Sequence, residues 1–355
     1  MMLRRPRLYR SQEALVANYQ RLCELAAGAE CAASIKANAY GIGVEFVAPI
    51  LHEAGCQTFF VAHAHEGIVL RQCVPKARIF VFHGLGADAV ETFSAHRLQP
   101  VLNSLEDVAR AAGHHLVPAI HVDTGMHRLG IHTDELDSVF ECLSESECGL
   151  VMSHLSSADD PRSTMPEQQC RAFRNALDHC PYSIQGSLAN TAGVLRGPAF
   201  HFQMVRPGIG LYGGSPDPHD PKGFQSVVRW EAPVLQVATV QPGEQIGYGG
   251  QFQTNRETQV ATLATGYADG YLRCLGDRAA VAIDGFRCPV IGRVSMDLVT
   301  IDATDYLRQG GVLREGQWVE VLGLSISLDE LAVHAETIGY ELLTRLGHRF
   351  ESIEH

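Results

Sequence analysis

The chain has 355 residues, of which 46% are hydrophobic and 19% charged, with a formal net charge of -12. That composition excludes extended disorder, and the acidic balance argues against nonspecific binding of nucleic acid. The length suits a barrel of about 250 residues with a second domain of about 100. The segment Met1 to Gln12 carries Arg4, Arg5, Arg7 and Arg10 without an apolar leader core, and no stretch is apolar enough to span a membrane. A cytoplasmic location with no membrane partner is expected. The ten cysteines are scattered without a CxxC pair, as in a reduced thiol set. His63-Ala-His65 and His114-His115 lack companion ligands at metal spacing, so no metal is expected and both pairs read as surface or strand residues.

In chain order, short β-rich runs alternate with helical stretches. The runs are Cys31 to Ile35, Thr58 to Ala62, Ile79 to Phe82, Leu98 to Leu102, Ala119 to Val122, Leu150 to His154, Tyr182 to Gln185 and Gln203 to Val205. Between them Ser11 to Ala27, Gly43 to Ala54, Ser104 to Ala112, Glu135 to Ser144 and Glu167 to Cys180 carry apolar residues at helical spacing. This cadence predicts an α/β fold with an N-terminal (βα)8 TIM-type barrel over residues 1–225. After the Gly- and Pro-rich stretch Gly213 to Gly223, the runs Val227 to Val240, Gln259 to Ala264, Ala279 to Ile283, Pro289 to Val294 and Trp318 to Leu322 predict a mainly β domain over 226–355. Arg229 to Thr239 is long enough to bend, and Ser327 to Phe350 is partly helical before a final strand or loop.

Lys36 ends the first apolar run and enters a turn of small residues, Ala37-Asn38-Ala39-Tyr40-Gly41. Barrel active sites form where strands end. A lysine against apolar walls loses charge, which frees its amine to form a Schiff base, as with pyridoxal phosphate. The alternative for an isolated lysine is a side chain snorkelling to solvent. Asp123 to Gly130 follows the fifth run and brings in Arg128. Arg206-Pro207-Gly208-Ile209-Gly210 follows the eighth, where barrel enzymes commonly bind phosphate through backbone N–H groups, and Asn190 and Thr191, after the seventh, add an amide and a hydroxyl beside the same cofactor-binding site.

Lys36-Ala-Asn-Ala-Tyr40-Gly, Asp123-Thr-Gly-Met-His-Arg128-Leu-Gly, Leu-Ala-Asn190-Thr191 and Arg206-Pro-Gly-Ile-Gly-Leu-Tyr resemble pyridoxal-phosphate alanine racemases in order and spacing. The resemblance continues through Gly247-Tyr248-Gly249, Gly266-Tyr267-Ala268-Asp269-Gly270 and Gly292-Arg293-Val294-Ser295-Met296-Asp297 to Tyr340-Glu341. It implies pyridoxal 5'-phosphate as cofactor, held covalently by Lys36, and interconversion of L- and D-alanine that supplies D-alanine for peptidoglycan. Lys36 and Tyr248 are then the bases on opposite faces of the substrate. Both side chains ordinarily titrate near 10 and need lowering. Desolvation and Arg206 act on Lys36, and His154, bonded to Arg206, acts on Tyr248. The same resemblance puts Arg206 against the pyridine nitrogen, where its retained proton limits side reactions. It assigns Tyr40, Thr191, Gly208 and Tyr340 to the phosphate, and Arg128, Met296, Tyr267 and Asp297 to the substrate. It further implies a head-to-tail homodimer in which each site takes Lys36 from one chain and Tyr248, Tyr267, Met296 and Asp297 from the other.

Three positions depart from the pattern. His121 stands where many relatives carry a carbamylated lysine that orients the arginine matching Arg128, so a bound anion or another side chain must do so here. Ile42 replaces a usual histidine, and Arg349-Phe350-Glu351-Ser352 differs from the usual ending. Serine or a broader substrate set remains open, because one methylene or hydroxyl gives only a few kcal/mol of discrimination, roughly 1–3. A decarboxylase of basic amino acids lacks support in a glycine-triplet loop or late cysteine motif. A noncatalytic pyridoxal-phosphate carrier would lack the second domain and Tyr248.

Overall fold

The computed structural model describes residues 5–354 and divides into two compact units, Leu15–Leu211 and a second made of the chain up to Ala14 together with the chain from Tyr212. Arg4 lies outside the described residues. Strands are numbered in chain order: β1 (Arg7–Arg10), β2 (Glu30–Cys31), β3 (Ala33–Ser34), β4 (Thr58–Val61), β5 (Arg78–Val81), β6 (Gln99–Leu102), β7 (Ala119–His121), β8 (Leu150–Met152), β9 (Gly186–Ser187) and β10 (Met204–Val205). Strands β2 to β10 form one parallel sheet of the Leu15–Leu211 unit, in the order β2-β10-β9-β8-β7-β6-β5-β4-β3. β2 and β3 are a single strand interrupted at Ala32, whose N–H donates to Val205 O at 2.9 Å. The two ends of the sheet therefore meet and a barrel closes, leaving no edge strand.

Inside the barrel, Ala32, Phe60, Phe80, Val101, Leu150 and Met204 form an apolar core. Phe60 and Phe80 stack with centroids 4.9 Å apart. Strands buried on both faces are continuously apolar, which is why they stand out in the sequence. Outside, the helix Val44–Glu53 buries Val44, Val47, Ala48, Ile50 and Leu51 on one stripe. One strand is displaced from its sequence-based position: the apolar pattern selects Tyr182 to Gln185, but β9 is Gly186–Ser187. Tyr182 instead packs edge-on against Phe140 at 5.7 Å. Gly186 provides the close approach of strand to helix, since a Cβ there would lie 2.8 Å from Leu177 Cδ1.

The second unit contains β11 (Val228–Val240), β12 (Gln245–Ile246), β13 (Phe252–Gln253), β14 (Thr258–Leu263), β15 (Ala280–Ile283), β16 (Phe286–Pro289), β17 (Val299–Asp302), β18 (Trp318–Leu322) and β19 (Glu351–Glu354). The long strand β11 bends at a register shift between Val234 and Gln236 and pairs with β1, β14 and β18. β1 therefore belongs to this unit and not to the barrel span of residues 1–225 expected from the sequence. Its backbone groups are satisfied by β11 on one side, Leu8 opposite Trp230, and by β19 on the other. The run Pro289 to Val294 is likewise shorter as a strand: β16 ends at Pro289, and Gly292 turns with φ +70°, which an extended strand cannot accommodate. Trp230 anchors the core, met edge-on by Tyr271 at 5.9 Å and Phe350 at 5.1 Å. All ten cysteines are free. No helix among the described residues is long and apolar enough to cross a membrane.

Candidate active site

At the end of β3 the chain enters a turn of unusual hand. Ala37, Asn38, Ala39 and Tyr40 have φ of 54°, 54°, 53° and 56°. Each L-residue held this way costs roughly 1–2 kcal/mol, about 4–8 kcal/mol for the turn. Hydrogen bonds offset that cost: Gly41 N–H to Ala37 O at 2.8 Å, Gly43 N–H to Asn38 O at 2.9 Å, and Val44 N–H to Asn38 Oδ1 at 2.8 Å. The Glu66 carboxylate accepts the Ala37 N–H at 2.6 Å.

Lys36 opens this turn and lines a cavity of about 240 Å³ together with Phe82, His83, His121, Arg128 and His154. Burial lowers the Lys36 pKa, the Arg128 cation lowers it further, and Glu66 opposes both. The cation acting on Lys36 is thus Arg128, where the sequence pointed to Arg206. His154 is held well below its ordinary pKa by burial and then by Arg206, Arg128, Lys36 and His121. His121 is pushed down to about 4 by burial, Arg206 and Arg128.

The His121 tautomer follows from its neighbour. Asn103 Nδ2 donates to Phe82 O at 2.9 Å and Val101 O at 3.0 Å, so its Oδ1 is the acceptor facing His121 Nδ1 at 2.8 Å. The proton sits on Nδ1, leaving Nε2 as a neutral acceptor.

Arg206 is 3% exposed and leaves β10 with its guanidinium donating to Ser187 Oγ at 2.5 Å and Ser153 O at 2.6 Å. Burial pushes it down to about 9. The expected bond to the His154 ring is absent among the described residues, because those two bonds direct the fork to Ser187 and Ser153; Arg206 reaches His154 through its charge.

Behind it, Thr191 begins the helix Thr191–Arg196 and its Oγ1 accepts the Gly208 N–H at 2.9 Å. Asn190 is the cap of that helix, its Oδ1 accepting from Gly193 N–H at 3.0 Å, so its amide supports the loop. The Arg128 loop is ordered by Asp123, whose Oδ1 accepts the N–H groups of Gly125 and Met126 at 2.9 Å each. Desolvation opposes ionisation of Asp123, but these backbone donors outweigh it and its pKa falls.

This arrangement fits pyridoxal phosphate. A half-buried primary amine of lowered pKa suits the aldehyde, and no carboxylate pairs with the buried Arg206 among the described residues, which leaves its charge for a ring acceptor. Tyr40, Gly208 and Thr191, the residues expected at a phosphate, are brought together. A Cβ at residue 208 would lie 2.2 Å from Tyr40 Oη, so only glycine permits that approach.

The remaining candidates, Tyr248, Tyr267, Met296, Asp297 and Tyr340, belong to the β unit. Tyr248 is 69% exposed in a short turn after Gly247. Tyr340 is half-buried in the helix Gly339–Thr344. Tyr267, Met296 and Asp297 are brought together: Tyr267 N–H donates to Ser295 O at 3.1 Å and Ala268 N–H to Met296 O at 3.0 Å. Arg349 then bridges buried Asp269, at 2.8 and 2.9 Å, to Asp297 at 2.6 Å. The divergent C-terminal ending thus supplies a clamp for these loops. Sequence reasoning missed Asn103 and Ser187, whose partners His121 and Arg206 lie at the ends of other strands, and it missed the roles of Glu66 and Asp269, each of which joins a local cap to a distant group, Ala37 and Arg349 respectively.

Family models for the alanine racemase N-terminal domain match residues 11–216, and for the C-terminal domain residues 227–354. An alanine racemase of Methylobacterium sp. (strain 4-46) is 42% identical over 97% of this chain and 96% of its own. A catabolic alanine racemase of Agrobacterium fabrum is 40% identical over 95% and 89%. Among solved structures, biosynthetic alanine racemase from Pseudomonas aeruginosa superimposes with a TM-score of 0.93 at 32% identity, covering 99% of this chain and 100% of that one. Alanine racemase from Bartonella henselae with covalently bound pyridoxal phosphate gives 0.91 at 35%, covering 99% of each. The lysine turn, the buried arginine and this agreement along nearly the whole length lead to one conclusion: the chain belongs to the alanine racemase family.

Proposed function

We propose that this protein is a pyridoxal-phosphate-dependent alanine racemase, acting in the cytoplasm as a homodimer whose sites are shared between subunits. The observation that carries the reading is Lys36, an amine of lowered pKa at a barrel mouth that also holds a buried, acid-free Arg206. Pyridoxal phosphate, when bound through Lys36, supplies the electron sink that acidifies the alanine Cα–H. Lys36 Nζ and, from the partner subunit, the phenol oxygen of Tyr248 carry protons to and from opposite faces. Arg128 orients the substrate carboxylate, with Met296, Tyr267 and Asp297 shaping the pocket. Tyr40, Thr191, Gly208 and Tyr340 hold the phosphate, and Asn190 secures the loop that carries Thr191. His154 stays neutral as partner to Tyr248, and Arg206 remains a cation at neutral pH. D-alanine for peptidoglycan is the role we assign, and the relatives named catabolic make alanine breakdown the alternative outcome.

Borohydride treatment of the cofactor-loaded protein, followed by peptide mass mapping, tests the attachment. The reduced adduct is expected on Lys36, and an adduct on another lysine overturns the assignment. Chiral chromatography of products from L-alanine, with L-serine in parallel, then ranks substrates.

A further inference from the structure

The lysine turn requires a support that its own residues do not supply. Ala37 is the first residue of the left-handed run, and its N–H points away from β3 into the carboxylate of Glu66, 2.6 Å from Oε1. The other oxygen, Oε2, accepts the N–H groups of Ala62 at 2.8 Å and His63 at 3.0 Å. One side chain thus satisfies three backbone donors. Two of them form the connection between the end of β4 and the helix Ala64–Cys73, and the third follows Lys36 directly. A carboxylate accepting several N–H groups gives the strong, charge-assisted kind of bond. No neutral side chain replaces it, because three donors need acceptor capacity on both atoms, and an amide has it on one only.

We propose that Glu66 is a positioning residue for the racemase reaction: it ties the left-handed turn to the neighbouring strand end and so fixes where the Lys36 amine stands. The inference rests on the reading of Lys36 as the cofactor lysine. Glu66 is also the carboxylate acting on Lys36, against Arg128, and His83 and His154 face the same amine. The Lys36 Nζ further lies 5.6 Å from the Phe82 ring centroid. Removing the Glu66 charge therefore shifts Lys36 downward as well as loosening it.

Three variants of the full chain separate position from charge: Glu66→Gln, Glu66→Ala and Glu66→Asp. The first readout is the kcat and KM for L-alanine. The second is the pH dependence of pyridoxal phosphate uptake by absorbance, which reports the Lys36 amine without turnover. Glu66→Gln and Glu66→Ala are expected to lower kcat by roughly tenfold to a hundredfold, the scale of a misplacement of about 1 Å, with KM changed far less. Both move the uptake profile to lower pH. Glu66→Asp keeps the charge on a shorter stem, so it restores the profile but only part of kcat. Variants that lose thermal stability alone, with the parent's profile and kcat, overturn the proposal. If the parent takes up cofactor yet racemises nothing, the racemase reading fails while the uptake profiles still test Glu66.

Discussion

His121 and His154 stand among Lys36, Arg128 and Arg206, and burial with that positive charge keeps both imidazoles neutral. The consequence for stability has a definite sign. The unfolded chain protonates His121 near 6.5, whereas the folded chain resists until about 4. Between those values the unfolded state binds more protons, so stability is complete above the upper value and is lost as pH falls through the lower one. Each pKa unit is worth about 1.4 kcal/mol, so His121 accounts for a loss on the order of 3 kcal/mol. Urea midpoints taken across this window are expected to fall more steeply for the parent than for His121→Gln. Equal slopes would remove His121 from the balance. The same residue answers the departure noted in the sequence: with its proton fixed on Nδ1 by Asn103, His121 offers a neutral acceptor where many relatives are expected to carry a carbamate.

At the scale of elements, the approach of the turn after β3 to the loop after β10 decides whether a phosphate fits. Gly208→Ala forces a methyl against Tyr40 Oη, at 2.2 Å in the unrelaxed geometry. Tyr40 is buried, so its ring has nowhere to retreat, and overpacking of this kind costs about 1–3 kcal/mol. Removing the hydroxyl takes away the closest contact and leaves Tyr40 Cζ at 3.0 Å. The double variant Gly208→Ala with Tyr40→Phe is therefore expected to be more stable in thermal melts than the sum of the single effects implies. Strict additivity would mean that the two residues do not meet. Most elements here are legible in the sequence because barrel strands such as β8, Leu150–Met152, and the Phe59-Phe60-Val61 stretch of β4 are apolar and the helices keep a clear stripe. The left-handed turn is not, since Ala37 and Ala39 occupy conformations where glycine is the residue to expect. β9 escapes notice for the opposite reason: Gly186 and Ser187 are too small to mark a strand, and Tyr182 nearby imitates one. Arg206 and Gly208 were visible as a motif, but Ser187 and Ser153, which hold the guanidinium, are recognisable only once the barrel brings their strands together.

For the whole molecule, the proposed sharing of sites makes two inactive variants complementary. Under that proposal Lys36→Ala lacks one base and Tyr248→Phe the other. In a mixed dimer one site collects both defects and the other neither. Subunits mixed one to one and allowed to exchange are expected to regain roughly a quarter of the parent activity, since about half the dimers are mixed and each has one intact site. Sites built within single chains would regain nothing. This arrangement is what the sequence resemblance supplied and what the exposed Tyr248, 69% accessible on its unit, is consistent with.

The most direct test of two-base racemisation is to incubate the cofactor-loaded protein with L-alanine in deuterium oxide, following optical rotation and Cα deuterium together. Rotation is expected to decay to zero while the D-alanine formed carries deuterium at Cα. Deuterium entering L-alanine with rotation retained would show proton transfer on one face only, and the absence of any exchange would contradict the assignment as a racemase.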